Sequence, residues 1–226
     1  MNNERGFNCG SLRGGIFCLA GAVLVLLFYK LGWTESFDQS GLEWMAGIRS
    51  PGLTNRVMEL SALGSLPALV LIGIATILFL FTQGEQKTTA RVFFIMVSAE
   101  IVAYVAKHLV ARTRPEEFFA DGVKGSIGSD LNVSFPSGHS MMSAAMYLGI
   151  AFLLHNAAGR HHSQRVLVGG AITLIFLIGL SRIYLGVHNP SDVLAGWLGG
   201  AGWTLAWFAF FDQRDQRTCP ARTEDA

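Results

Sequence analysis

Six stretches of this chain read as membrane-crossing helices: residues 14–33, 64–82, 92–111, 138–155, 166–182 and 192–211. Crossing a bilayer takes about 20 mainly apolar residues in helical form, because hydrocarbon offers no partner for a free N–H or C=O. The first, third and sixth stretches meet that length comfortably; the second and fourth are shorter or more polar. Composition agrees, since 51% of the residues are hydrophobic and 15% charged, whereas soluble domains carry about a quarter charged residues. The expected fold class is all-α: a polytopic membrane bundle of six transmembrane helices. Residues 1–211 form one domain and 212–226 a polar, mobile tail. The first stretch follows Arg5 and Arg13 as a signal peptide would, but it is longer than a signal core and lacks a small-residue cleavage site, so it is read as a retained helix.

Basic residues give the bundle an orientation. Arg5, Arg13, Lys87, Arg91, Arg160, Arg165, Arg214, Arg217 and Arg222 fall on one side of the six spans. That side is expected to be cytoplasmic, with both termini on it. Lys30, Arg49, Arg56, Lys107, Arg112, Arg114, Lys124 and Arg182 fall on the other. A net charge of +1 with no basic tract gives no sign of a nucleic-acid partner, and Cys9, Cys18 and Cys219 show neither disulfide nor zinc spacing. The first external loop, 34–63, carries Phe37, Trp44, Met45 and Ile48, then Leu53, Val57 and Leu60, at helical spacing, divided by Pro51-Gly52. Two short interfacial helices are expected there, as a cover over the bundle or a lateral gate for lipid. Trp33 and Trp44 suit a membrane interface.

Three polar stretches interrupt this apolar chain, each at the end of a predicted helix. Lys107-His-Leu-Val-Ala-Arg-Thr-Arg114-Pro115 closes the third, Pro136-Ser137-Gly138-His139 opens the fourth, and Ser181-Arg182 with His188 and Asp192 links the fifth to the sixth. Helix parity brings all three to the non-cytoplasmic face. Ionisable groups at such positions are costly and mark function. Lys107, Arg114 and Arg182 are candidate phosphate clamps, since a transferring phosphoryl group needs positioning and charge compensation. Pro115 disfavours helical geometry at Arg114 and frees it to swing over the site. Arg112 is a secondary candidate, placed to touch the rest of the substrate. Ser137 and Gly138 open a helix whose free N–H groups attract an anion, and His139 beside them suits a general acid. Asn189-Pro190 reads as an N-cap and first helical position. Asp192 would then reach back to orient His188, the candidate nucleophile.

In this order and spacing the motifs resemble the signature of the type-2 phosphatidic-acid phosphatase family: K-x6-R-P, then P-S-G-H, then S-R-x5-H-x3-D, with every defining position present between Lys107 and Asp192. The resemblance implies an integral-membrane lipid phosphatase needing no metal or other cofactor. It implies a phosphohistidine at His188, with His139 acting as acid and then base. Candidate substrates are phosphatidic acid, phosphatidylglycerol phosphate, undecaprenyl pyrophosphate and phosphorylated lipid A. Vanadium haloperoxidases share the signature but are soluble, which this chain is not expected to be. Two alternatives stay open: a lipid phosphotransferase using the same site, and a non-catalytic transporter of anionic lipid. The expected location is the cell membrane (the inner membrane in a bacterium), with the site facing outward.

Other polar residues have plainer readings. His108 is a bystander, and His155, His161 and His162 are solvated loop residues rather than a metal site. Glu100 lies mid-helix in register with Tyr104 and Lys107. It is read as a packing residue, with a catalytic part left open.

Overall fold

The computed structural model describes residues 7–123, 132–158 and 161–218, all helix and connecting loop. The helices are α1 Phe7–Lys30, α2 Glu35–Gly47, α3 Pro51–Ala62, α4 Leu66–Thr82, α5 Gln86–Val110, α6 Gly138–Ala158, α7 His161–Tyr184 and α8 Pro190–Thr218. A single 3-10 turn, Glu116–Phe118, lies in the α5–α6 connection. Expectations for Arg5, Lys124, Arg160, Cys219, Arg222 and the tail beyond Thr218 lie outside the described residues.

Six long helices stand where six apolar stretches were read, with shifted ends. The first runs Phe7–Lys30 rather than 14–33, because Gly32 takes φ 76° and turns the chain. The last continues to Thr218, so residues 212–218 are helix rather than tail. His161 and His162 likewise open α7 instead of sitting in a loop. Among the described residues, four helices are long and apolar enough to cross a membrane: Ser11–Lys30, Gln86–Val110, Arg165–Tyr184 and Pro190–Phe211. A fifth is counted if α3 and α4, bent by 44° at their junction, make one span.

The helix α4 has only 17 residues. The helix α6 opens Gly-His-Ser-Met-Met-Ser, and its residues from Ser140 to Met146 are all buried. It packs against α4, α5, α7 and α8. A helix walled in by protein can carry small polar residues and does not need a lipid-facing apolar surface. The outer helices do: Phe17, Leu71, Ile101, Leu109 and Val166 all stand exposed, an array that a soluble monomer avoids.

Small residues set how close the helices come. A Cβ on Gly196 or Gly200 of α8 would approach Ser137 O to 2.8 Å or Met141 O to 2.2 Å, so both glycines let α8 lie directly on α6. A core of Leu69, Ile95, Ala99, Met142, Ala145, Met146 and Phe208 fills the bundle among α4, α5, α6 and α8. A second cluster lies at the end where the three motifs meet. There Leu42 and Met45 of α2 pack on Ile183, Tyr184, Leu185, Val187 and Val193. The stripe read in 37–48 is therefore divided: Met45 faces inward with Asp38 and Leu42, whereas Phe37, Trp44 and Ile48 are exposed.

Candidate active site

All three motifs converge at one end of the bundle, and each is set by a local device. The helix α5 stops at Val110 because Ala111 adopts a left-handed conformation (φ 49°), its N–H donating to Lys107 O. The helix thus ends short of Pro115. The following segment is pinned by a bridge between Thr113 and Val133. Ser134 reinforces it, its N–H donating to Arg112 O at 2.7 Å and its hydroxyl to Thr113 O at 3.0 Å. Arg114 is thereby held in extended chain, with Nη1 donating to Val187 O at 3.1 Å.

The start of α6 is capped by Ser137, whose fully buried hydroxyl accepts from Ser140 Oγ at 2.9 Å and from Ser140 N at 3.4 Å. Its own N–H donates to Asp192 O at 3.0 Å, tying the α6 and α8 openings together. A Cβ on Gly138 would lie 3.3 Å from Lys107 Nζ. The ammonium therefore sits over the first turn of α6, adding its charge to the helix's positive end. His139 follows at half-exposure. It lies close enough to Arg182, His188, Lys107 and Arg114 to interact electrostatically with each.

The α7–α8 loop carries the second imidazole. Gly186 takes φ 72°, and a Cβ there would fall 1.8 Å from Phe118 O, so only glycine fits. The turn seats His188, which is 1% exposed. Burial, with Arg114, Arg182 and Lys107 close by, pushes its imidazole well below the ordinary histidine range. The ring is therefore held in its neutral form at pH 7. Arg114 is also lowered by burial, with Asp192 opposing the shift. Arg182 closes the ring of cations from the last turn of α7, with Nη1 donating to Ser61 Oγ at 2.6 Å. Among the described residues, buried Arg114 Nε, Arg182 Nε and His188 Nδ1 find no hydrogen-bond partner. Open guanidinium donors such as the first two suit an anion with several oxygens.

Asp192 differs from expectation in what it holds. Its Oδ2 lies 3.8 Å from His188 Nδ1, beyond a hydrogen bond. That oxygen accepts instead from Asn189 N at 2.8 Å and Asn189 Nδ2 at 3.2 Å. This is a capping box: the third helical residue reaches back to the N-cap N–H. Oδ1 accepts from Arg112 Nη1 at 2.7 Å. Arg112 is likewise committed to protein rather than open to substrate. It also donates to Ser191 Oγ and, through Nη2, to Asp38 Oδ2, each at 2.7 Å, and its guanidinium stacks 4.3 Å from the Tyr29 ring centroid. Glu100 interacts electrostatically with Lys107 from one side. His108 is exposed and turned to its own helix, its Nδ1 lying 2.8 Å from Tyr104 O.

Reading the motifs alone misses Asp38, Ser61, Ser134 and Ser191. Asp38 had a usable signal: it stands four and seven residues before Leu42 and Met45, an acid on an apolar stripe. Ser61 and Ser134 had none, since their partners are distant in sequence.

The sequence model of the PAP2 superfamily matches residues 88–216, which include every motif residue described above. This chain belongs to the PAP2 superfamily. Among its PAP2 relatives is phosphatidylglycerophosphatase B of Bacillus subtilis, 33% identical over 171 residues that cover 72% of this chain and 77% of the relative. An undecaprenyl-diphosphatase of Sulfolobus acidocaldarius is 28% identical over 147 residues, covering 65% and 64%. The fold is shared with the crystal structure of a transmembrane PAP2-type phosphatidylglycerolphosphate phosphatase from Bacillus subtilis. The TM-score is 0.68 at 24% identity, over 89% of this chain and 98% of that one. The PAP2 relatives are phosphatases, lipid diphosphate hydrolases among them.

Proposed function

We propose that this protein is a membrane lipid phosphatase that hydrolyses a lipid phosphomonoester or pyrophosphate through a phosphohistidine at His188. The observation that carries the reading is the set of open N–H donors of Arg114 and Arg182 around a buried, neutral His188, beside the first turn of α6. Lys107, Arg114 and Arg182 hold the phosphate oxygens, with Ser137 capping and Gly138 opening the helix end. The lone pair of His188 Nε2 attacks phosphorus, and the P–O bond to the lipid breaks. His139 gives its proton to the departing oxygen, yielding a lipid alcohol or, from a pyrophosphate, a lipid monophosphate. Neutral His139 then takes a proton from water, whose oxygen attacks the phosphohistidine and frees inorganic phosphate. The charge compensation comes from three cations, so turnover is independent of added metal.

The six long helices cross the bilayer, α4 as the continuation of α3 beyond their bend and α6 enclosed by its neighbours. The helices α2 and α3 lie in the interface, with Phe37, Trp44 and Ile48 turned to lipid. The excess of basic residues at the opposite ends makes that side cytoplasmic, so the site faces outward. The relatives suggest phosphatidylglycerol phosphate and polyprenyl pyrophosphate as the first substrates to test.

The purified protein is expected to release phosphate from at least one member of a panel of lipid phosphates and pyrophosphates, with chelator present. His188→Ala should release none while eluting and unfolding like the native protein. Turnover by that variant would remove His188 as the nucleophile.

A further inference from the structure

The structure assigns a role to Asp38: we propose that it is a positioning residue for the nucleophile, acting through Arg112 and Asp192. This rests on the phosphatase reading above and deepens it.

Asp38 belongs to α2, in the loop that covers the bundle, far in sequence from every motif residue. Its side chain is only 4% exposed, that of Asp192 is 0% and that of Arg112 is 11%. The two carboxylates share one guanidinium, each at 2.7 Å from a different terminal nitrogen. Asp38 also takes both donors of Ser191: the backbone N–H at 2.8 Å on Oδ1 and the hydroxyl at 2.7 Å on Oδ2. It therefore fixes the residue immediately before Asp192 as well as the cation bonded to Asp192.

Charge makes this more than a staple. His188 is faced by cations on nearly every side: Lys107 from α5, Arg114 from the segment after it and Arg182 from α7, with His139 from α6. Asp192 of α8 is the carboxylate beside it. Were Arg112 paired with Asp192 alone, that pair would be neutral and would offer the ring no compensating charge. With Asp38 on its other arm, the group of two carboxylates and one guanidinium keeps one net negative charge against His188. As Nε2 attacks, the imidazole becomes cationic, and that negative charge stabilises it.

The test is the pH dependence of kcat/KM on a lipid phosphate that the native protein hydrolyses, in detergent, for Asp38→Asn, Asp38→Glu and the double variant Asp38→Asn with Arg112→Gln. Asp38→Asn should lower kcat by about 10- to 100-fold, the scale for groups that orient a catalytic ligand from one shell out, with KM nearly unchanged. Its acid limb, set by protonation of His188, should move to lower pH because a negative charge has been lost. Asp38→Glu should keep the native limb. The double variant restores one net negative charge, so its limb should return and its loss should be less than the product of the single losses. Should Asp38→Asn not fold, Asp38→Ser serves in its place. A folded variant with reduced rate but an unmoved acid limb, or strictly additive losses, would overturn the proposal and leave Asp38 as a structural tie. Absence of phosphate release by the native protein would instead remove the phosphatase reading itself.

Discussion

Two histidines meet the same cations. His188 sits in the turn before α8, 1% exposed and ringed by Lys107, Arg114 and Arg182, and His139 opens α6, partly buried beside the same three side chains. Burial and the three cations disfavour the imidazolium of His188, so its folded pKa lies well below the ordinary value of about 6.5. The sign follows directly. Attack needs the neutral ring, so kcat/KM falls as pH drops through that depressed pKa. The acid limb of the rate profile is therefore expected well below pH 6.5, and a limb at or above the ordinary value would contradict this environment. If His139 donates the proton to the leaving oxygen, as proposed, its loss would set an alkaline limb and the profile would be a bell. At this scale the motifs were legible because their chemistry is local: each pairs a reactive group with the turn or cap that presents it. What Asp192 and Arg112 hold was not legible, because Asp38 and Ser191 meet them through tertiary packing. Spacing in sequence suggested the contact to His188, and the nearer Asn189 N–H took that oxygen instead.

Among the elements, the packing of α6 on α8 decides the geometry of the α6 opening. Gly196 and Gly199 make a natural pair of probes. A Cβ at Gly196 would meet Ser137 O and Ser140 Cβ at 2.8 Å, whereas at Gly199 the nearest atom is Met141 Sδ at 3.6 Å, an ordinary contact. Gly196→Ala is expected to destabilise the protein by about 1–3 kcal/mol, the scale of overpacking. It should also depress turnover, because Ser137 and the α6 opening must move. Gly199→Ala should leave both nearly unchanged, or raise stability slightly as alanine favours helix. Thermal unfolding in detergent and phosphate release measure the two, and equal effects at both positions would count against a helix contact this tight. The long helices were readable from apolar runs, and their ends were not. The stops at Gly32 and Ala111 depend on left-handed residues, and for alanine no sequence rule announces one.

For the whole molecule, the orientation in the bilayer remains the largest structural claim, and it follows from charge rather than from packing. Gln39 lies on α2 at the catalytic end, and Gln83 lies in the turn between α4 and α5 at the other end. In a cysteine-free background, single cysteines at these positions should react oppositely with an impermeant maleimide added to intact cells: Gln39→Cys labelled, Gln83→Cys labelled only after lysis. The reverse pattern would place the site in the cytoplasm. The overall architecture was legible in the apolar pattern, because lipid permits only helices or closed barrels. The way the helices enclose α6 was not, since an apolar run does not say whether lipid or neighbouring helices cover it.

The first and last helices lie against one another. Gly15 and Gly21 of α1 face Ala206 and Leu198 of α8, and Gly202 faces Leu19. During synthesis, α1 emerges long before its partner exists. The proposed site draws on Asp192 at the start of α8, so it stays unformed until that helix has been made. A truncation that removes α8 should therefore leave α1 without the surface it packs on.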